Sequence, residues 1–397
     1  MKTFPHIGIL AVLLAFSACS WEVCMDEHSA EGGEIGFLPG LSATKAATEY
    51  ASAADLSALG VFAYFTHGGF AANASSATPG FMYNQYVERQ TDGFWLYSPV
   101  RFWPLNTNDK VSFFAYAPYV DDTSGGSNPA FKDKSAPGYP SLTYTVPTDE
   151  NTQTDLLAAT PLMDQTSESN GGTVKFALKH ALTKIAVFVK SNDNIADKKV
   201  TAFSIQAAQR GTLTWKTPDD ANDVGFNWTY ASPVATETFA AANTDLSVPS
   251  STTAEKVALA TFLLLPRGEG NTFSITYTAP GSLSSGAPLT QTIALANQPL
   301  PSLDGWKRGN FISYTIGIEK KKITVTAASH PVWNDGGTST VTGSVVITYA
   351  VSPTDPNWGN GGTGTVDGQP VVTHTEQDIT EWQPGTSETL DGTETTP

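Results

Sequence analysis

Cysteine is almost missing from this 397-residue chain: Cys19 and Cys24 stand near its start and none follows. A disulfide framework is therefore excluded, and everything beyond residue 24 must hold by packing alone. Charge is sparse too. Only 15% of residues are charged, and 22 Lys and Arg against 38 Asp and Glu leave a formal net charge of −16. That balance excludes nucleic acid as a partner, because its phosphate backbone is held through Lys and Arg. No apolar run reaches the roughly 20 residues of a spanning helix; Ile7 to Phe16 is too short. The six histidines, at positions 6, 28, 67, 180, 330 and 374, form no close pair at metal-ligand spacing. No glycine-rich phosphate loop follows a strand, and no Gly-x-Ser-x-Gly elbow occurs. Asp219, Asp220 and Asp223 lack the ordered spacing and glycine of a calcium loop and read as a solvated acidic turn. His180 reads as a hydrogen-bonded core or rim residue. The chain is expected to have no catalytic residue, no metal and no cofactor, and not to be an enzyme.

What the chain has is aromatic residues, 11% of the total, and short Thr/Ser/Val-rich runs punctuated by 34 Gly and 25 Pro. That is an all-β composition. Gly93 to Tyr119 is the densest aromatic stretch and reads as two strands and a turn, with Pro99, Pro104 and Pro118 limiting them. In Val111 to Ala117, Val111, Phe113 and Ala115 face one way and Ser112, Phe114 and Tyr116 the other, so the strand is covered on both sides. Asp121 to Pro140 reads as a long exposed loop, and Gln165 to Thr173 as a linker. Val174 to Lys190 changes strand phase, which implies a bulge or bend near Thr183; a helical reading through Leu178, Leu182, Ile185 and Val189 also fits. Some seven strands in each half suit a pair of β-sandwiches. Residues 1–18 are a secretory leader, 19–34 a polar tether, 35–172 and 173–351 two β-domains, and 352–397 a flexible acidic tail without Lys or Arg. Val341 to Val351 has a strand period. Val341, Val345, Ile347, Tyr349 and Val351 share one set of positions, so this segment is a candidate donor strand.

Ser17 and Ala18 before Cys19 resemble a bacterial lipobox, in which the cysteine becomes the lipidated first residue. Phe16 departs from the usual Leu, and Cys24, after Trp21-Glu22-Val23, is a poorer match. The ordinary alternative is a leader cut elsewhere with Cys19 a plain thiol.

Trp95, Tyr97, Pro99, the pair Trp103-Pro104, and Phe113-Phe114-Ala115-Tyr116-Ala117-Pro118 follow one another in an order that resembles the fimbrillin-like surface proteins of Bacteroidales, also called type V pilins. Further matches are Thr44-Lys45-Ala46, Gly60-Val61-Phe62-Ala63-Tyr64, Phe81-Met82 with Asn84-Gln85, and Asp155-Leu156-Leu157. Lys179 to Ile185, Leu264-Leu265-Pro266, Gly305-Trp306 with Gly309, and Val332-Trp333 continue the series. The resemblance implies two tandem transthyretin-like sandwiches. It also implies a lipidated precursor at the outer membrane and a protease that removes the N-terminal segment with its first strand. A strand from the next subunit fills the vacated groove, so that subunits join head to tail into a fimbria serving adhesion. Processing in this family usually follows arginine, yet none lies between Cys19 and Arg89; Lys45 is the one trypsin-like site in the region. The alternative is a permanently anchored surface lipoprotein that binds a glycan or host protein through loops such as Asp121 to Pro140. Trp95, Trp103 and Tyr119 would then form a sugar platform, against their reading as core.

Overall fold

Alternating apolar and polar side chains produce strands wherever one face meets a core, and continuous apolar runs produce strands buried on both faces. Both kinds occur in the computed structural model, which describes residues 33–41, 52–123, 125–282, 288–301, 306–319, 322–330, 340–348 and 373–376. The protein is almost entirely β, with its sheets packed in a sandwich-like arrangement.

The first sheet joins β1 (Gly36–Leu41), β2 (Ala58–His67), β3 (Met82–Arg89), β4 (Trp95–Leu96), β5 (Asp109–Ala117), β8 (Leu157–Ala159) and β10 (Thr173–His180). Their order is β1-β10-β8-β5-β2-β3-β4, with β9 (Leu162–Gln165) also paired to β5. β5 and β2 sit at its centre and obey the expected alternation. Phe113, Ala115, Val61 and Ala63 enter one core, and Phe114, Tyr116, Phe62 and Tyr64 enter another on the opposite face. The two strands approach so closely at Gly60 that a Cβ there would lie 2.1 Å from Tyr116 Cε1.

On the second face lies a four-stranded sheet of β6 (Ala130–Phe131), β7 (Ser141–Thr145), β13 (Arg210–Trp215) and β14 (Phe226–Thr229). Trp215 packs between them, its ring 6.3 Å from both Phe62 and Phe114. A five-stranded sheet holds β12 (Lys199–Ala208), β15 (Thr236–Ala240), β16 (Leu246–Ser247), β18 (Thr272–Ser282) and β19 (Pro288–Pro299). A six-stranded sheet runs β17 (Val257–Leu264), β11 (Thr183–Ser191), β20 (Phe311–Glu319), β21 (Lys322–His330), β22 (Thr340–Thr348) and β23 (Thr373–Glu376). One hydrophobic core extends from Phe62 and Tyr116 of the first sheet through Trp215 to Ile185, Tyr277 and Ile316.

Several expectations need revision. The aromatic stretch is not a hairpin: β4 pairs with β3 and β5 with β2, so two strands lie between them. Residues 97–108 leave the ladder, as Pro99 and Pro104 require, and carry Trp103 onto the outer face of the sheet, where it is 3% exposed. Of the bulge or bend expected near Thr183, the structure has the bend, at Leu182, between two strands. The chain leaves the first sheet after His180 and enters the six-stranded sheet at Thr183. Thr173–His180 was expected to open the second unit, yet it pairs with β1 and β8; β7, inside the bounds of the first unit, pairs with β13 of the second. The sheets thus do not part at residue 172. Gln165 to Thr173 is packed rather than a free linker: Gly171 and Gly172 take positive φ, and the Gly172 carbonyl accepts from Trp103 Nε1 at 2.8 Å. Within Asp121 to Pro140, Phe131 pairs into the four-stranded sheet and packs at a tilt on Tyr116, ring centres 5.0 Å apart.

Candidate functional site

The sheet edge made by β1 is the place where local sequence, packing and chain order converge. Gly36 to Leu41 alternates, with Phe37 and Pro39 turned inward and Leu38 outward. Proline is tolerated because an edge strand has a side without ladder partners. Among the described residues β1 has one strand neighbour, β10, and the pairing is parallel, Gly36 opposite Thr173 through Leu41 opposite Leu178. Just upstream, Ile35 N donates to Arg101 O at 2.9 Å, and Trp103 N donates to Gly33 O at 3.1 Å. Tyr97 Oη donates to Ile35 O at 2.9 Å. The segment is thereby clamped between the 97–103 crossing and β10.

Its side chains complete the outer core. Phe37 stacks on Phe176 at 5.7 Å and meets Tyr97 at 5.0 Å and Phe113 at 6.0 Å. Ile35 and Phe37 are 1% and 5% exposed, so each contributes about 1.5–3 kcal/mol of burial. Beside the strand, Leu38 to Leu41 and Lys175 to Lys179 border an open cavity of about 570 Å³. The arrangement offers no acid–base or nucleophilic chemistry. What it offers is a strand-shaped slot with aromatic walls, occupied by the chain's own N-terminal strand.

The predicted site residues fall unevenly on this picture. Cys19 and Lys45 lie outside the described residues, as do Tyr349 and Val351. Val341, Val345 and Ile347 lie on β22, which pairs antiparallel with β21, Val345 opposite Val325 and Ile347 opposite Ile323. β23 in turn pairs with β22. Trp95 and Trp103 are buried at 8% and 3% exposure, which removes them from any sugar platform and makes them core. Tyr119 remains partly exposed, its ring 4.7 Å from Tyr86. His180 Nδ1 is 2.8 Å from Asp155 Oδ2 inside the fold. Lys216 bridges Asp219 and Asp223 at 2.5 Å each, and hydrogen bonds from Lys216 and the backbone hold the Asp223 carboxyl well below its ordinary range. Reading the sequence missed the edge position of β1, since six residues with two glycines and a proline carry little strand propensity. The alternation of Ile35, Phe37 and Pro39 was the available signal.

The sequence model of the family described as fimbrillin-like matches residues 44–333. The fimbrium subunit Fim1C of Phocaeicola vulgatus is 39% identical over 150 residues, covering 36% of this chain and 39% of that protein. The chain thus aligns with well under half the length of that relative. The crystal structure of a fimbrial protein from Bacteroides vulgatus superposes with a TM-score of 0.60 at 25% identity, covering 76% of this chain and 99% of the other. These relatives are structural proteins of fimbriae, not enzymes. With the family match running through nearly all of both β-rich halves, the chain belongs to the fimbrillin-like family of fimbrial proteins.

Proposed function

We propose that this chain is a structural subunit of a cell-surface fimbria, made as an outer-membrane lipoprotein precursor acylated at Cys19 and polymerised by strand exchange after a cut at Lys45. The observation that carries this reading is the place of β1. Among the described residues it is an edge strand with one ladder neighbour, and it ends at Leu41, N-terminal to Lys45, while β2 begins only at Ala58. A cut at Lys45 separates β1 from the sheet that it completes. Held then only by its ladder to β10, by the bonds of Gly33 and Ile35 to residues 97–103 and by a few side chains, the segment is no longer tied to the rest of the chain, and when it leaves, the slot lined by Phe176, Phe113 and Tyr97 is open to a strand of similar alternation. A head-to-tail contact of this kind propagates without closing.

The incoming strand comes from the C-terminal part of a neighbour. Val341, Val345 and Ile347 have the required period, but β22 also pairs with β21 of its own chain. Serving as donor therefore costs it that ladder, and segments beyond Thr348 are the competing choice. The test is a pair of alterations. Cleavage at Lys45 is expected to yield a ladder of oligomers that resists mild denaturant, and removal of residues 340–397 to abolish the ladder while the monomer melts as before. If the truncated monomer instead unfolds, β22 is an integral strand and the donor role passes to later residues. Lysine 45 replaced by alanine is expected to leave only monomer; oligomers formed as readily by Lys45→Ala would overturn the cleavage step.

The anchor has its own test. Acyl chains contribute about 0.8 kcal/mol per buried methylene, so Cys19→Ser is expected to move the protein out of the membrane fraction or block its maturation. An unchanged fractionation pattern would sink the lipid attachment.

A further inference from the structure

Three elements meet around a second cavity, of about 430 Å³, a size within the range of small-ligand sites. They are the edge strand β14, the chain just after β17, and the turn leading into β20. The walls are fixed by backbone bonds. Gly309 N donates to Leu182 O at 2.7 Å, Lys184 N to Asn310 O at 3.0 Å, and Thr183 Oγ1 to Lys307 O at 2.9 Å. Trp228 is fixed as well: its Nε1 donates to Ala181 O at 2.8 Å, so the partly exposed indole has spent its only donor and presents ring surface.

The polar groups of this cavity are unlike the chain around them. In a protein of net charge −16, two adjacent cations, Lys307 and Arg308, line it, joined by the amides of Asn227 and Asn310. The Arg308 guanidinium lies over Phe226, 5.3 Å from the ring centre. An acid that acts on it electrostatically, Asp223, is already bonded to Lys216 Nζ, Asp219 N and Gly225 N. Among the described residues neither Lys307 nor Arg308 has an ion-pair partner. Burial lowers the pKa of the half-buried Arg308 guanidinium, an effect that the Asp223 carboxylate offsets only in part.

We propose that this cavity binds an acidic sugar, its carboxylate taken by Arg308 and Lys307, its hydroxyls by Asn227 and Asn310, and its apolar ring face by Trp228. A planar guanidinium matches a carboxylate in two parallel hydrogen bonds. Amides, which donate and accept, suit hydroxyls that do the same. A partly exposed aromatic ring favours a sugar ring over an extended acidic peptide, whose carboxylates have no rigid apolar face to stack. The assignment does not depend on how the subunit polymerises, because none of these residues lies on β1, β10 or β22.

Calorimetry and saturation-transfer NMR on the full mature chain test it, with glucuronate, glucose and a short Asp/Glu peptide as probes at millimolar concentration. Glucuronate is expected to bind saturably and glucose about tenfold more weakly or worse, since tenfold corresponds to about one charge-assisted bond. Arg308→Gln and Lys307→Gln are each expected to weaken glucuronate by about tenfold, with the melting temperature and any oligomer ladder unchanged. Lys307 is exposed, so its variant carries the test should Arg308→Gln fail to fold. Equal binding of glucose and glucuronate, or glucuronate binding indifferent to Lys307→Gln, overturns the site. Absence of saturable glucuronate binding does so too, and peptide binding without sugar binding replaces the sugar with an acidic protein segment.

Discussion

Trp103 illustrates how a single side chain serves the fold from outside a strand. Its ring fills the outer core against Phe113 at 5.8 Å, and its Nε1 fixes the Gly171-Gly172 turn that precedes β10. Trp103→Ala is expected to cost about 3–5 kcal/mol, read as a lower denaturant midpoint with unchanged slope. A variant that melts normally would mean that the ring is not core. Lys198 makes the complementary point about charge. It is 1% exposed, yet its ammonium donates to Ser191 Oγ at 2.7 Å, to Ile318 O at 3.0 Å and to Asp193. Three acceptors satisfy all three of its donors, so a buried cation that would otherwise be prohibitive is tolerated.

At the scale of the element, β1 differs from its neighbours in having, among the described residues, a single strand ladder, the one to β10. β5, in the middle of the same sheet, pairs with β2, β8 and β9. Local opening should therefore start at β1, and the amides of residues 173–178 are expected to exchange with solvent sooner than those of β5. Phe37→Asp places a carboxylate among Phe176, Phe113 and Tyr97, at a cost of several kcal/mol. It is expected to abolish protection along residues 173–178 and leave that of β5 intact. Uniform loss of protection throughout the sheet would show that β1 is integral to the fold, and the slot would then not be a separable one. The alternation of strands such as β18 was plain in the sequence, as Phe273, Ile275 and Tyr277 are buried in the way their period demands. The brief, glycine-rich β1 was not, because a strand this short draws its stability from neighbours rather than from propensity.

For the whole molecule, the consequence of one core running from the first sheet to the six-stranded sheet is cooperative unfolding. Calorimetry is expected to give a single transition; two resolved transitions would mean that the halves unfold independently. Alkaline stability follows from the same core. Burial raises the pKa of Tyr64, Tyr116, Tyr144 and Tyr314 far above the ordinary value of 10.0. Since the neutral phenol is favoured in the fold, this stability is complete below pH 10 and is lost as pH rises above it, by up to about 1.4 kcal/mol per pH unit for each tyrosine. Denaturant midpoints are expected to hold steady from pH 8 to about 9.5 and then fall; a midpoint flat through pH 11 would contradict it. By itself the sequence determined the β class, the absence of disulfide support, the aromatic core of β2 and β5, and membership of a fimbrial family, because period, composition and motif order are local or serial properties. Only the tertiary structure decided that β10 completes the first sheet while β11 enters another, that β4 and β5 are no hairpin, and that β1 lies parallel at an edge. Alternation states which side of a strand is apolar. It leaves open which distant strand will supply the partner, and that choice is made by the packing of the whole chain.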